Sequence, residues 1–181
     1  MGTPKAAIGI STTPKTKIPL YGDKRWAYLA RAKTIRLATT EQDGSIYLSP
    51  LWYLVDNKRI YIPIDAAGRH GRNAEAGRPL AALVDAGDEF STVTGVRIIG
   101  RMVWVNDATL SERLNSMLFE KYFGVGHPYA EVYFEMGVAA GRKFYELIPE
   151  KIVGWDAREI AASPGPESRV LPDFVRDRLL P

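Results

Sequence analysis

The chain reads as one mainly β domain of the α+β class, a small antiparallel barrel with helices around it. Two long stretches, 45–55 and 92–105, alternate with a period of two, and both of their faces are apolar. Strands of that kind need cover on both sides, which a closed barrel packed against a second subunit supplies. Few helical segments separate neighbouring strands, which argues against a doubly wound sheet and for outer helices on a barrel. With 181 residues, 46% of them apolar and 25% charged, there is material for one sizeable core. The expected division is an arm over 1–22, a barrel domain over 23–156 and a tail over 157–181.

Residues 1–19 are rich in Thr, Pro, Lys and Gly and hold no sustained period, so they read as a mobile arm or a segment laid on a partner. Asp23 is placed to cap a helix over 24–32, with Trp26, Leu29 and Ala30 on one side. In the first strand Ile35, Leu37 and Thr39 alternate with Arg36 and Ala38, and Gln42-Asp43-Gly44 closes a hairpin. The next strand sends Ile46, Leu48, Pro50, Trp52 and Leu54 one way and Tyr47, Ser49, Leu51, Tyr53 and Val55 the other. Pro50 removes a ladder donor, which favours a bulge or an edge.

After the turn Asp56-Asn57-Lys58 comes a buried strand through Ile60, Ile62 and Ile64, then a small-residue turn and a short helix. Residues 79–85 form another buried strand, and Gly95 and Gly100 mark points where the strand over 92–105 must bend to close a barrel. Thr109-Leu110-Ser111-Glu112 fits a capping box, and Leu110, Leu114, Met117 and Leu118 form the stripe of a helix ending near Gly124. A shorter helix over 129–136 follows, then a last strand over 142–156, interrupted at Pro149, and a tail rich in Pro, Ser and charge.

The absence of cysteine excludes disulfides, thiol catalysis and thiolate metal sites, and two histidines, His70 and His127, argue against a histidine-rich metal site. A net charge of +3 suits an acidic small molecule rather than nucleic acid. No apolar run has membrane-spanning or signal-peptide length, so the expected location is cytoplasmic. No nucleophile elbow, HExxH, phosphate-binding Walker loop or dinucleotide fingerprint is present.

The informative stretch is the turn after Asp65, where Arg69, His70 and Arg72 fall within four positions between Gly68 and Asn73. Helix-start donors beside guanidinium groups make an anion site, most naturally for a phosphate; the plain alternative is a solvated basic loop. Trp52 and Tyr53 lie on the strand beside it and Trp155 ends the last strand. Aromatics near a phosphate-type site suit a flat, ring-bearing ligand with a phosphorylated tail, with core or interface packing as the alternative for each.

In order, IYLSPLWY, the strand to Asp65, GRHGRN, PLAALVD, GVRIIGRMVWV and IPEKIVGWD resemble the pyridoxamine 5'-phosphate oxidase-like, flavin-binding split β-barrel family over roughly 30–156. The resemblance implies a homodimer with two cofactor sites at its interface, holding FMN or the deazaflavin coenzyme F-420, or haem in some members. It implies that Arg69, His70, Arg72 and Asn73 hold the cofactor phosphate. It further implies that Ser49, Pro50, Leu51 and Trp52, with Ile62, Pro63, Ile64 and Asp65, line the ring through main-chain groups, and Trp155 joins this set. Two residues depart from the family pattern. His70 stands where many members have Lys, which weakens the charge at neutral pH, and Asp65 stands where Thr or Ser is common. An Asp there repels a phosphate unless it pairs with Arg69 or Arg72.

The expected function is therefore an oxidoreductase moving hydride between F-420, or alternatively FMN, and a small organic substrate. No catalytic side chain and no metal ligand is assigned. A non-catalytic flavin, deazaflavin or haem carrier is the alternative, and a nucleic-acid surface is disfavoured because both long strands are too apolar. The expected partners are the substrate and a second copy of the chain, with neither nucleic acid nor membrane.

Overall fold

A computed structural model describes residues 18–89 and 91–158; the expected arm lies mostly outside these residues and the tail almost wholly so. The elements are α1 (Gly22–Arg31), β1 (Thr34–Thr40), β2 (Ile46–Trp52), β3 (Leu54–Asp56), β4 (Arg59–Asp65), α2 (Arg69–Glu75), β5 (Leu80–Ala86), β6 (Thr94–Trp104), α3 (Ala108–Tyr122), α4 (Ala130–Ala139) and β7 (Arg142–Asp156). All strand pairings are antiparallel, in the order β2-β1-β5-β6-β7-β4-β3. The two outer strands, β2 and β3, are consecutive in sequence and separated by Tyr53 alone. One chain segment thus forms both edges of the sheet, so the sheet must curl until its edges meet at that residue. The fold is an antiparallel split β-barrel with helices outside.

The expected single strand over 45–55 therefore breaks. Alternation itself holds across the break: Tyr53 and Leu54 lie on opposite faces, as expected, and both are fully buried. Tyr53 faces the barrel core with Ile35, Leu37, Ile62, Val96, Ile98 and Tyr145, plugged by Leu29 of α1. Leu54 instead joins Tyr61 and Phe144 beneath Leu114 and Leu118 of α3. α3 also fixes the crossing through its C-terminal turn. The Tyr122 hydroxyl accepts the Tyr53 N–H at 2.9 Å, and Lys121 Nζ donates to the Tyr53 carbonyl at 3.0 Å. The Tyr122 proton has two carbonyls in reach, that of Tyr53 at 2.7 Å and that of Lys33 at 2.8 Å.

Other expectations shift in detail. Asp107, not the Thr109 box, caps α3, its side chain accepting the Leu110 N–H at 3.0 Å. Asp23 lies inside the first turn of α1 and pairs with Lys58 rather than capping the helix. β7 is not broken at Pro149. The register slips there instead, Ile99 facing Lys151 and Gly100 facing Pro149, so that Glu150 is the extra residue. Gly100 is required at the slip because a Cβ would lie 2.1 Å from the Ile148 carbonyl oxygen. At Gly95 the register is unshifted, and the missing side chain leaves room for the Trp155 ring, which a Cβ would meet at 2.4 Å.

Burial pushes the Lys121 ammonium down to about 8, so between pH 8 and its ordinary value of 10.5 the unfolded chain binds the extra proton. Stability carried by this group therefore rises with pH in that window. Melting temperature should climb more between pH 7 and pH 9 (about one unit either side of the shifted value) in the natural chain than in Lys121→Met. Equal slopes would show that Lys121 is solvated. Tyr122→Phe leaves the Tyr53 N–H without its acceptor, and urea unfolding should show a loss of about 1–3 kcal/mol.

Candidate functional site

Curling the sheet onto one residue leaves a gap. β2 pairs only with β1, and β4 beyond Tyr61 pairs only with β7, so the free edges of β2 and of residues 62–65 face each other across a split. Pro50 and Pro63 stand on these edges, and a proline in a paired strand is tolerated where its missing N–H faces away from the ladder. The split opens as a cleft of about 510 Å³, walled by β2, β4 and the start of α2, with Tyr133 of α4 and Arg142 of β7 closing one side.

Its chemistry is set by what each polar side chain already touches. Arg142 Nε donates to Asp65 Oδ1 at 2.8 Å, and its guanidinium lies 4.5 Å over the Tyr133 ring. This is a neutralised pair on a fixed plate. Trp52 stacks on Tyr122, with centroids 4.4 Å apart at 12°, and touches Phe123 and Tyr133, so the indole wall is rigid. Arg69 lies exposed with its guanidinium 5.1 Å over the Tyr47 ring. It also borders a second concavity with Arg72, Glu41, Asp43 and Ser45.

His70 is only 5% exposed; its Nδ1 is 2.9 Å from Thr39 Oγ1 and its Nε2 is 2.8 Å from Ser49 Oγ. Burial holds its pKa below the ordinary value, partly opposed by Glu41. The helix start can approach β4 because Gly71 has no side chain: a Cβ would sit 2.5 Å from the Ala66 carbonyl oxygen.

A sequence model described as Pyridoxamine 5'-phosphate oxidase matches residues 23–156. The chain belongs to that family. No curated protein sequence matches it. Among solved structures it is similar to a conserved hypothetical protein of Mycobacterium tuberculosis, at TM-score 0.69 and 21% identity, covering 90% of this chain and 99% of that one. It is also similar to the heme storage protein HutZ of Vibrio cholerae (TM-score 0.59, 16% identity, 77% and 98% covered). A third is an FAD binding protein of Mycobacterium smegmatis (TM-score 0.51, 17% identity, 75% and 95% covered). At these identities the likeness is one of fold.

Ser49, Pro50, Leu51, Trp52, Pro63, Ile64, Asp65, Arg69 and His70 of the expected oxidase-family set come together in the cleft. Four do not. Ile62 turns wholly into the barrel core, where period two places it between Tyr61 and Pro63. Arg72 borders the neighbouring concavity, its Nη1 on the Ala67 carbonyl. Asn73 is buried with its amide spent on Arg78, Thr39 and Glu41, leaving no group for a phosphate. Trp155 stands at the far end of β7, whose first residue, Arg142, is the one that pairs with Asp65. Asp65 itself pairs with Arg142 rather than Arg69 or Arg72. Tyr47, Gly68, Tyr133 and Arg142 were missed as lining residues. Tyr47 carried a signal, since it shares the Ser49 and Leu51 side of β2.

The lowered His70 pKa means the unfolded chain binds more protons than the folded one below its ordinary value of 6.5. Stability from this group is complete above that value and declines as pH falls toward the folded pKa. The melting-temperature loss between about pH 7 and pH 5 should be smaller in His70→Gln than in the natural chain; identical losses would clear His70 of the effect.

Proposed function

We propose that the split holds the ring of a deazaflavin or flavin cofactor, F-420 or FMN, and that the protein is an oxidoreductase acting on a small organic molecule. The observation that carries this reading is the pair of facing, unzipped strand edges with the exposed arginines Arg69 and Arg72 on the α2 side. A flat ring fits between two edges that expose main-chain groups, and the cleft volume is within the range of small-molecule sites. A phosphorylated tail fits Arg69 and Arg72, whose guanidiniums are exposed on the α2 side.

A bound flavin or deazaflavin would supply the hydride chemistry. The chain's own part is positioning: the Trp52 wall excludes water, the Asp65–Arg142 pair adds no net charge beside the ring, and Arg69 holds the tail. This division suits a cleft in which Asp65 and Arg142 neutralise each other, His70 is buried and Arg69 is the exposed cation.

The same feature favours a second reading, a carrier that holds its chromophore without turnover, and the fold is shared with a heme storage protein. Steady turnover of reduced cofactor against a panel of acceptors decides between the two.

A second copy of the chain completes the proposal. On the outer face, the register aligns Leu48, Ala38, Ala81 and Ile99 in one apolar row and Pro50, Arg36, Leu83, Arg97 and Val153 in the next, which two arginines interrupt. Ile46 and Leu48 are 64% and 61% exposed there, a surface that a dimer would cover. Trp155 can join a cofactor site only from such a partner.

Fluorescence titration should show micromolar binding of FMN or F-420, and binding of neither would end the cofactor reading. Arg69→Ala and Arg72→Ala should each weaken FMN by about 1.5–3 kcal/mol while leaving riboflavin, which lacks the phosphate, unchanged. The double variant Ile46→Lys, Leu48→Lys should sediment as a monomer where the natural chain sediments as a dimer.

A further inference from the structure

Five polar side chains run from Arg78, just past α2, to the cleft, and their order fixes where each proton lies. Arg78 Nη1 donates to Asn73 Oδ1 at 2.7 Å. A guanidinium only donates, so the amide oxygen faces Arg78 and the amide nitrogen faces β1. There Asn73 Nδ2 donates to Thr39 Oγ1 at 2.9 Å and reaches Glu41 Oε1 at 3.4 Å, both consistent with that orientation.

Thr39 is 1% exposed, and among the described residues its hydroxyl bonds only to Asn73 and His70. Since Asn73 donates to it, its own proton must go to His70 Nδ1. A proton on Nδ1 would instead strand the Thr39 proton in the interior, the costlier arrangement. A neutral imidazole that accepts at Nδ1 carries its proton on Nε2, which lies 2.8 Å from Ser49 Oγ. Ser49 is thus an acceptor toward His70, and its own proton is left for the cleft it lines.

We infer that His70 is a positioning residue, locked as the Nε2–H tautomer, that turns the Ser49 hydroxyl into a fixed hydrogen-bond donor in the split. The cleft then selects a ligand that presents an acceptor at that point, such as a carbonyl oxygen or an unprotonated ring nitrogen. This rests on reading the split as a ligand site. A lysine at position 70, with donors and no acceptor, could not pass the order on.

Nitrogen-15 NMR of the full chain, with His127 assigned through His127→Gln, reads the tautomer directly. His70 should show a protonated Nε2 and a bare Nδ1 at pH 7.5, a condition about one unit above the ordinary imidazole value. Thr39→Val should abolish that single tautomer and Thr39→Ser should keep it. A bare Nε2 in the natural chain would overturn the inference.

With FMN or F-420 as the probe, Ser49→Ala and Thr39→Val should each weaken binding about tenfold, the worth of one hydrogen bond, and Thr39→Ser should restore it. Weakening by Thr39→Val that Thr39→Ser fails to rescue would mark a packing role and overturn it too. If neither cofactor binds the natural chain, the cofactor reading falls, and the tautomer measurement alone still decides the proton order.

Discussion

The structure depends on one crossing residue. Tyr53 is where a segment that forms one edge of the sheet passes over to form the other, and both edges are held there by α3. Its main-chain N–H and carbonyl lie outside any strand pairing, in a place where unmet polar groups are costly, and Tyr122 and Lys121 satisfy them. The Tyr53 side chain meanwhile reaches inward to the Leu29 carbonyl at 2.5 Å, tying α1 to the same point. Barrel closure, helix placement and the position of the Trp52 ring on Tyr122 all follow from that one arrangement.

The split is the geometric remainder of the closure. β2 and β4 diverge from Tyr53, and β3 follows β4 only as far as the Leu54–Tyr61 pair. Beyond it the edges are too far apart to form a ladder, and prolines on both remove donors that would favour one. α4 then matters as a wall support: the Arg142 guanidinium lies over the Tyr133 ring and is held on Asp65, so the far wall has fixed contacts like the near one. Walls held by the chain's own contacts lower the ordering cost of binding.

Much of this was legible in the residues. The alternation of β1, β4, β5 and β6 and the short helix after Asp65 follow from period and turn chemistry, and the lining by Ser49 to Trp52 follows from the family resemblance. The break at Tyr53 was not legible, because Tyr and Leu in succession fit an alternating two-faced strand as well as a crossing. Nor was Asn73: its place in the basic turn pointed outward, while the buried Thr39 hydroxyl that claims it lies 34 residues away. Asp65 was read against its sequence neighbours, but its partner Arg142 is fixed by the β4–β7 register, which no local pattern encodes. Long-range register decided what the short-range motif left open.

The histidine at position 70, where the family resemblance implies a lysine, then has a physical reading. A lysine contributes charge without direction; a buried neutral imidazole contributes direction without charge. In this chain the two tasks are separated. Arg69 and Arg72 stay at the exposed side, where charge attracts an anion at little desolvation cost, and His70 sits inside, where burial keeps it neutral. A charged His70 would have to donate from both nitrogens, and the Thr39 hydroxyl between it and Asn73 would then face two donors. The same burial that keeps His70 neutral therefore keeps the proton order intact, and the proposed site gains a directed donor at Ser49 in place of a third positive charge.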